Sequence, residues 1–272
     1  MPIIPQPLQS VYPPETVESK NSAPTQLKFA KEHDVRVEKY ALDYLGNQDV
    51  GLINLLIEDA NIDLASVGVS EESYELRVLD SSIEISAGTT WGAIRGLATL
   101  WQAAKQGRIN SGLSIRDEPR FLWRGLMLDV ARHFIPLKTL RETVDRMSLL
   151  KLNVLHLHLS DDQGFRFGSE KYPEVVSEDF YSLQELKSLA TYCMDRGVRL
   201  IPEIDLPGHV THIVASRPDL APKGKATDRT QKFGVHRACL DPSNENVFIF
   251  VRELIEELSD VFPDPFIHLG GD

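Results

Sequence analysis

The sequence predicts an α/β protein in which a small α+β domain precedes the first four β/α units of a (β/α)8 barrel. Residues 27–116 mix strand and helix patterns, and a charged segment with a proline follows at 117–120. Beyond it, short apolar runs alternate with amphipathic helices, as in parallel strands joined by right-handed crossovers. We therefore expect domains at residues 26–116 and 117–272, after an extended, proline-rich arm over residues 1–25.

Three segments define the first domain. Leucines at positions 52, 55 and 56 predict a helix that ends near Asn61. Residues 74–78 and 83–85 alternate apolar with polar side chains on either side of Asp80-Ser81-Ser82, which predicts a β-hairpin. A helix is then expected over residues 90–102, because apolar residues recur there at helical spacing.

The second domain contains four predicted strands and three predicted helices. The strands are expected at residues 125–130, 153–159, 198–204 and 265–269. The helices between them are expected at residues 137–150, 183–196 and 244–262. This order fits either a doubly wound sheet or a barrel.

Side-chain parity favours the barrel. In the second strand the leucines at 155, 157 and 159 share one face, and His156 and His158 occupy the other. Glu203 and Asp205 likewise oppose apolar neighbours in the third strand. A doubly wound sheet is apolar on both faces, whereas a barrel directs polar residues toward a site at its C-terminal end.

Composition disfavours several classes of partner. The 272 residues carry a formal net charge of -11, which disfavours nucleic acids and anionic membranes as partners. The N-terminal residues lack signal-peptide features, so we expect a cytoplasmic protein, or a periplasmic or secreted one if a leader was removed. Of the two cysteines, Cys193 falls on the apolar side of a predicted helix and is expected to be a buried thiol.

Residue types suited to catalysis concentrate where the predicted strands end. The four segments are 128–133 (LDVARH), 158–164 (HLSDDQG), 203–209 (EIDLPGH) and 268–272 (HLGGD). Together they resemble the strand ends of family 20 glycoside hydrolases, the β-N-acetylhexosaminidases, and the last matches that family's His-x-Gly-Gly-Asp-Glu motif up to the Asp. The segment before the barrel resembles the family's zincin-like accessory domain.

The resemblance implies retaining, substrate-assisted hydrolysis of β-linked N-acetylhexosamine, GlcNAc or GalNAc, from oligosaccharides, without a metal or other cofactor. The substrate's N-acetyl group is the nucleophile and forms an oxazolinium ion, an exception to the scheme with two carboxylates. Asp272 resembles the carboxylate that stabilises charge on the amide. The family's general acid is the Glu after this Asp, so we expect the 272-residue chain alone to be a truncated, inactive form that self-associates through its incomplete barrel.

Other roles also follow from the resemblance. Arg132 resembles the arginine that binds the hydroxyls of the terminal sugar, for which the guanidinium fork is suited. His209 and Asp161 resemble a pair that supports the acid. Asp129, His158, Glu203 and Asp205 are expected to support these residues.

Two other functions remain open from the sequence. His156-Leu157-His158 resembles the His-x-His of metal-dependent amidohydrolase barrels, to which His209 and His268 could add ligands. That motif belongs on a first barrel strand, whereas here it lies on the second. A non-catalytic, sugar-binding fragment is the other alternative.

Overall fold

The computed structural model describes residues 3–13, 23–60, 62, 71–225, 227–234 and 236–272. The chain forms two compact units. The first comprises Met1–Arg124, Thr143–Asn153 and Met194–Val198, and the second comprises Gly125–Glu142, Val154–Cys193 and Arg199–Asp272.

The first unit contains a six-stranded sheet in the order β1-β6-β4-β5-β3-β2. Pairing is antiparallel from β1 to β5 and parallel from β5 to β2. Helices α1 and α2 contact each other, and α2 packs on β3, β4 and β5 to bury the core. The elements are β1 (Gln9–Val11), β2 (Ala23–Phe29), α1 (Val35–Leu45), β3 (Val50–Asp59), β4 (Tyr74–Val78), β5 (Ile83–Thr89), α2 (Thr90–Lys105) and β6 (Ser114–Asp117).

The expected helix ending near Asn61 is wrong, because residues 50–59 form strand β3. Leucines at 52, 55 and 56 imitate helical spacing, yet Ile53, Leu55 and Ile57 are the fully buried positions and Leu52 and Leu56 are only half-buried. Burial thus alternates with the period of a strand, and the β-branched residues fit that conformation.

Part of the arm expected over residues 1–25 is instead built into this sheet. Strand β1 pairs antiparallel with β6, and β2 already begins at Ala23. Ile3 is buried, and the backbone N–H of Ile4 donates to the side chain of Gln102 in α2 at 2.7 Å. Side-chain and backbone contacts therefore join the described N-terminal residues to the core.

The hairpin and the helix after it are confirmed. Tyr74–Val78 pairs antiparallel with Ile83–Thr89, so the second strand extends beyond the expected residues. Helix α2 begins at Thr90, because the side chain of Thr89 accepts a hydrogen bond from the Gly92 N–H at 3.2 Å and so caps the first turn.

The second unit holds four parallel strands in the order β13-β12-β8-β7, as expected for consecutive β/α units of a TIM barrel. Its elements are β7 (Gly125–Asp129), β8 (Val154–Asp161), β9 (Gly164–Phe165), β10 (Phe167–Gly168), β11 (Tyr181–Ser182), α4 (Leu183–Met194), β12 (Arg199–Leu206), α5 (Thr211–Ser216), α6 (Glu245–Val261) and β13 (His268–Gly270). Helix α3 (Leu137–Leu149) follows β7; its residues up to Glu142 belong to the second unit and those from Thr143 onward to the first.

The burial of Cys193 agrees with the expectation from the sequence, because this residue lies on the buried face of α4. In the part of the chain that the structure describes, no helix has the length and apolar character needed to span a bilayer.

Candidate active site

Strand register places one row of polar side chains across the four parallel strands. Asp129 pairs with His158, His158 pairs with Glu203, and Glu203 pairs with His268. Paired positions in a sheet point to the same side. The row therefore joins four residues from four different strands.

Arg132 lies in the loop after β7 and is held between two carboxylates. Its Nη1 lies 2.7 Å from Asp129 Oδ2, and its Nη2 lies 2.7 Å from Asp161 Oδ2. Asp129 Oδ1 also accepts the backbone N–H groups of Ala131 and Arg132, both at 3.0 Å. Asp129 thus fixes both the backbone and the guanidinium of this residue.

The imidazole of His158 lies between Asp161 and Glu203. Its Nε2 is 2.7 Å from Asp161 Oδ2, and its Nδ1 is 2.8 Å from Glu203 Oε2. Burial alone would lower the pKa of His158, but the two carboxylates outweigh it and raise that pKa to about 9. Burial would raise the pKa of Asp161 and Glu203, yet their histidine partners hold both below the ordinary values.

Asp161 extends the network to His209. The Nδ1 atom of His209 lies 3.1 Å from Asp161 Oδ1, and its Nε2 lies 3.4 Å from Asp272 Oδ2. His209 has a φ of 51°, in the left-handed region that few side chains adopt. Asp162 holds the next segment, because its Oδ1 accepts the backbone N–H of Thr211 at 3.1 Å.

Asp205 is buried against the last strand. Among the described residues its Oδ1 has no hydrogen-bond partner, and a Cβ at Gly270 would lie 1.6 Å from that oxygen. Gly270 also has a φ of 68°. Both the close contact with Asp205 and the left-handed backbone conformation therefore require glycine at this position. Burial raises the pKa of Asp205, Asp272 and Glu203 raise it further, and His209 and His158 oppose the shift.

His156, Glu203 and His268 form a group whose donor atoms could hold a metal ion. Two imidazoles and a carboxylate are a donor set that zinc accepts. However, His156 Nε2 lies 2.7 Å and His268 Nδ1 3.1 Å from oxygens of Glu203. Ligands of tetrahedral zinc are about 3.3 Å apart. The contacts are therefore shorter than a zinc site requires and fit paired imidazole and carboxylate groups better.

Comparison with known proteins decides the family. Residues 121–272 match the model of "Glycosyl hydrolase family 20, catalytic domain", and residues 9–103 match "beta-acetyl hexosaminidase like". The chain belongs to glycosyl hydrolase family 20.

Individual relatives of this family 20 chain include β-hexosaminidases. The β subunit of mouse β-hexosaminidase is 37% identical over 233 residues, covering 81% of this chain and 42% of the relative. A β-hexosaminidase of Akkermansia muciniphila is 40% identical over 223 residues, covering 74% of this chain and 45% of the relative. The chain thus spans less than half the length of these relatives.

Solved structures show the same likeness. A chitobiase of Flavobacterium johnsoniae matches with a TM-score of 0.86 and 28% identity, covering 99% of this chain and 44% of that chain. A Streptomyces plicatus N-acetyl-β-hexosaminidase, solved with Thio-NAglucal, matches with a TM-score of 0.83 and 26% identity, covering 98% of this chain and 58% of that chain.

The structure brings together the residues that the sequence proposed for the family 20 site. They are Asp129, Arg132, His158, Asp161, Glu203, Asp205, His209 and Asp272. Sequence reasoning missed three neighbours. Ser160 Oγ accepts the Asp205 N–H at 3.1 Å, Thr211 binds Asp162, and Arg166 binds the loop that carries Arg132. One feature of the sequence indicates that Arg166 is buried, because this residue stands between two phenylalanines.

Proposed function

We propose that the protein carrying this chain is a β-N-acetylhexosaminidase, which removes terminal, non-reducing β-linked GlcNAc or GalNAc from oligosaccharides. The observation that carries the proposal is the continuous series Arg132–Asp161–His209–Asp272 at the strand ends. In this network Arg132 is the cation that would bind sugar hydroxyls, and Asp272 is the carboxylate that would bind the amide of the substrate. A Streptomyces plicatus β-hexosaminidase variant has been solved with GlcNAc as its product, which supports this substrate class.

The proposed reaction uses the substrate's own acetamide as nucleophile. The amide oxygen attacks C1, the bond from C1 to the leaving oxygen breaks, and a general acid protonates that oxygen. The carboxylate of Asp272 accepts the amide N–H and stabilises the positive charge of the oxazolinium ion. Water then attacks C1 from the face that the leaving group vacated and gives a proton to the conjugate base of the general acid. The bond from C1 to the acetamide oxygen breaks at the same time, so the N-acetyl group is restored and the product retains the β configuration.

In this scheme Arg132 binds ring hydroxyls of the terminal sugar. Its side chain is 30% exposed and its guanidinium is already held by Asp129 and Asp161, so its orientation is fixed before substrate arrives. Preorganised donors act without a further entropy cost in the transition state. His209 links Asp161 to Asp272 and sets the position of the latter.

The test uses the whole protein that carries this chain. It follows hydrolysis of 4-nitrophenyl N-acetyl-β-glucosaminide and the matching galactosaminide, with proton NMR to identify the first anomer released. We expect the β anomer and competitive inhibition by a thiazoline that imitates the oxazolinium ion. An α anomer as first product would contradict the mechanism. Saturable binding of GlcNAc without turnover would instead favour a sugar-binding function.

A metal-dependent hydrolase is the second candidate, favoured by the group His156, Glu203 and His268. Metal analysis of the purified protein, with activity measured before and after dialysis against a chelator, separates the two. Stoichiometric zinc together with loss of activity on chelation would support the metal-dependent function. Unchanged activity would support the glycosidase without a metal.

A further inference from the structure

Arg166 is buried beside the loop that carries Arg132, and its guanidinium donates to three backbone carbonyls. Nε donates to Val130 O at 3.1 Å, Nη2 to Ala131 O at 3.0 Å, and Nη1 to Asp179 O at 2.9 Å. The side chain is 8% exposed, and burial lowers its pKa. A buried guanidinium whose hydrogen-bond partners are neutral carbonyls has a high desolvation cost, which indicates that it has a specific role.

The surroundings of Arg166 fit this contact closely. A Cβ at Gly164 would lie 2.8 Å from Arg166 Cζ and 2.9 Å from Ala131 O. The absence of a side chain at Gly164 therefore leaves the space in which the guanidinium meets the loop. The ring of Phe134 lies over the guanidinium, with 5.7 Å between Cζ and the ring centroid.

The loop is consequently held from two directions just before Arg132. Arg166 fixes the carbonyls of Val130 and Ala131, while Asp129 fixes the N–H groups of Ala131 and Arg132. Tyr181 adds a hydroxyl that donates to the carbonyl of Ile135 on the far side of Arg132. The peptide units before Arg132 thus have fixed donors and fixed acceptors.

We propose that Arg166 is a positioning residue that sets the orientation of Arg132 toward the substrate. Arginine is required because its planar fork reaches three carbonyls in different directions, which the single ammonium of lysine cannot imitate. Asp129 and Asp161 direct the guanidinium of Arg132, and Arg166 holds the backbone from which that side chain extends. The kinetic consequence rests on the proposed glycosidase function, whereas the fixing of the loop does not.

The first test is hydrogen exchange at the amides of Ala131 and Arg132 in Arg166→Lys. We expect exchange at least about tenfold faster than in the wild-type protein, because two strong hydrogen bonds to the loop are weakened. Arg199→Lys is the matched control, since Arg199 is also buried and pairs with Asp264 at 2.7 and 2.8 Å. It should leave both amides unchanged. Equal exchange in the two variants would overturn the proposal.

A second variant, Gly164→Ala, keeps Arg166 but pushes its guanidinium away from Ala131. It should accelerate exchange at the same two amides, so the test survives if Arg166→Lys does not fold. Unchanged protection of Ala131 and Arg132 in a folded Gly164→Ala variant would contradict the proposal equally.

The kinetic test compares an aryl N-acetylglucosaminide with deoxy analogues that lack one ring hydroxyl each. Arg166→Lys should lower kcat/KM for the parent substrate about tenfold or more, with a smaller loss for the analogue whose missing hydroxyl Arg132 would bind. Equal losses on all substrates would overturn the positioning role. If the whole wild-type protein that carries this chain were inactive on every substrate, the proposed function alone would be contradicted, and the exchange data would still decide the role of Arg166.

Discussion

Asp161 and His209 are joined by a contact of 3.1 Å between Asp161 Oδ1 and His209 Nδ1, while the other oxygen of the same carboxylate contacts Arg132 and His158. The Asp161 side chain is 1% exposed, so little solvent shares its charge. One carboxylate therefore organises three cationic or protonatable groups. Its removal would leave those groups to repel one another in a partly buried setting.

Asp161→Asn should consequently damage both activity and stability. We expect kcat/KM to fall about 10²-fold or more, because the side chains of Arg132 and His209 lose their shared anchor. The free energy of unfolding should fall by about 3 kcal/mol, as is typical when one partner of a buried ion pair is removed. Urea unfolding and initial rates measure the two effects.

Asp219→Asn provides the comparison for Asp161→Asn. Asp219 pairs with Arg217 at 2.8 Å, but its side chain is 46% exposed. Exposed pairs contribute about 0.2–1 kcal/mol, so this variant should remain close to the wild type in both measurements. Similar effects of the two substitutions on activity and stability would show that Asp161 is not central to the network.

His158 should make stability depend on pH above neutrality. Its pKa rises in the folded protein from 6.5 to about 9, so the stabilisation is complete below about 6.5 and disappears as pH rises through about 9. At about 1.4 kcal/mol per tenfold change in proton affinity, the loss is about 3 kcal/mol. Urea unfolding between pH 6 and 10 measures it.

His158→Gln is the matching variant, because its amide N–H groups can donate to a carboxylate without titrating. Its unfolding free energy should lack the decline that the wild-type protein shows between pH 6.5 and 9. The pKa of His209 is also raised, so the difference between the two pH profiles, and not the wild-type profile alone, reports on His158. Parallel pH profiles would show that His158 is not protonated as proposed.

Much of the second unit could be predicted from periodicity, because each parallel strand has one apolar face and polar residues near its C-terminal end. The first unit was harder. Strand β3 was misread because leucines occupy both faces of it, so spacing alone could not reveal which positions are buried. Helix α1 was not predicted, although Asp34 caps it by accepting from the N–H groups of Arg36 and Val37.

For the site, the sequence identified which residues gather at the strand ends but not how they pair. Parity put His158 and Glu203 on polar faces, and only the register between strands makes them neighbours. Arg166 was missed because its partners are backbone carbonyls, which leave no trace in side-chain chemistry. Contacts between distant backbone segments depend on the fold and not on local pattern.

Gly270→Ala should disturb the segment that carries Asp272. A Cβ there would lie 1.6 Å from Asp205 Oδ1, so either Asp205 or the chain from 268 to 272 must move. We expect a loss of stability above the 1–2 kcal/mol roughly typical of alanine at positive φ, together with a loss of activity. Gly224→Ala separates the two causes, because Gly224 has a φ of 76° and nothing within 4 Å of the added Cβ.

The expected difference between these two alanines is specific. Gly224→Ala should cost stability alone, as measured by urea unfolding, and leave kcat/KM unchanged. Gly270→Ala should lower kcat/KM as well, because Asp272 follows two residues later and Gly271 donates to Leu206 O at 3.1 Å. An active Gly270→Ala enzyme would show that Asp205 can move away without disturbing Asp272.

Arg132→Lys tests whether the fork of the guanidinium matters beyond its charge. Arg132 contacts Asp129 and Asp161 through different nitrogens, both at 2.7 Å. A single ammonium cannot keep that geometry and also present donors to sugar hydroxyls. We expect kcat/KM to fall about 10²-fold, with KM raised and kcat lowered together, since hydroxyl contacts strengthen as the ring distorts toward the transition state. Arg217→Lys is the control, because Arg217 also bridges two carboxylates, Asp219 at 2.8 Å and Glu174 at 3.2 Å, both of which are more exposed than the partners of Arg132. It should leave the kinetics unchanged. A rise in KM with no change in kcat would mean that Arg132 binds substrate and transition state equally, and its role would then be affinity and not catalysis.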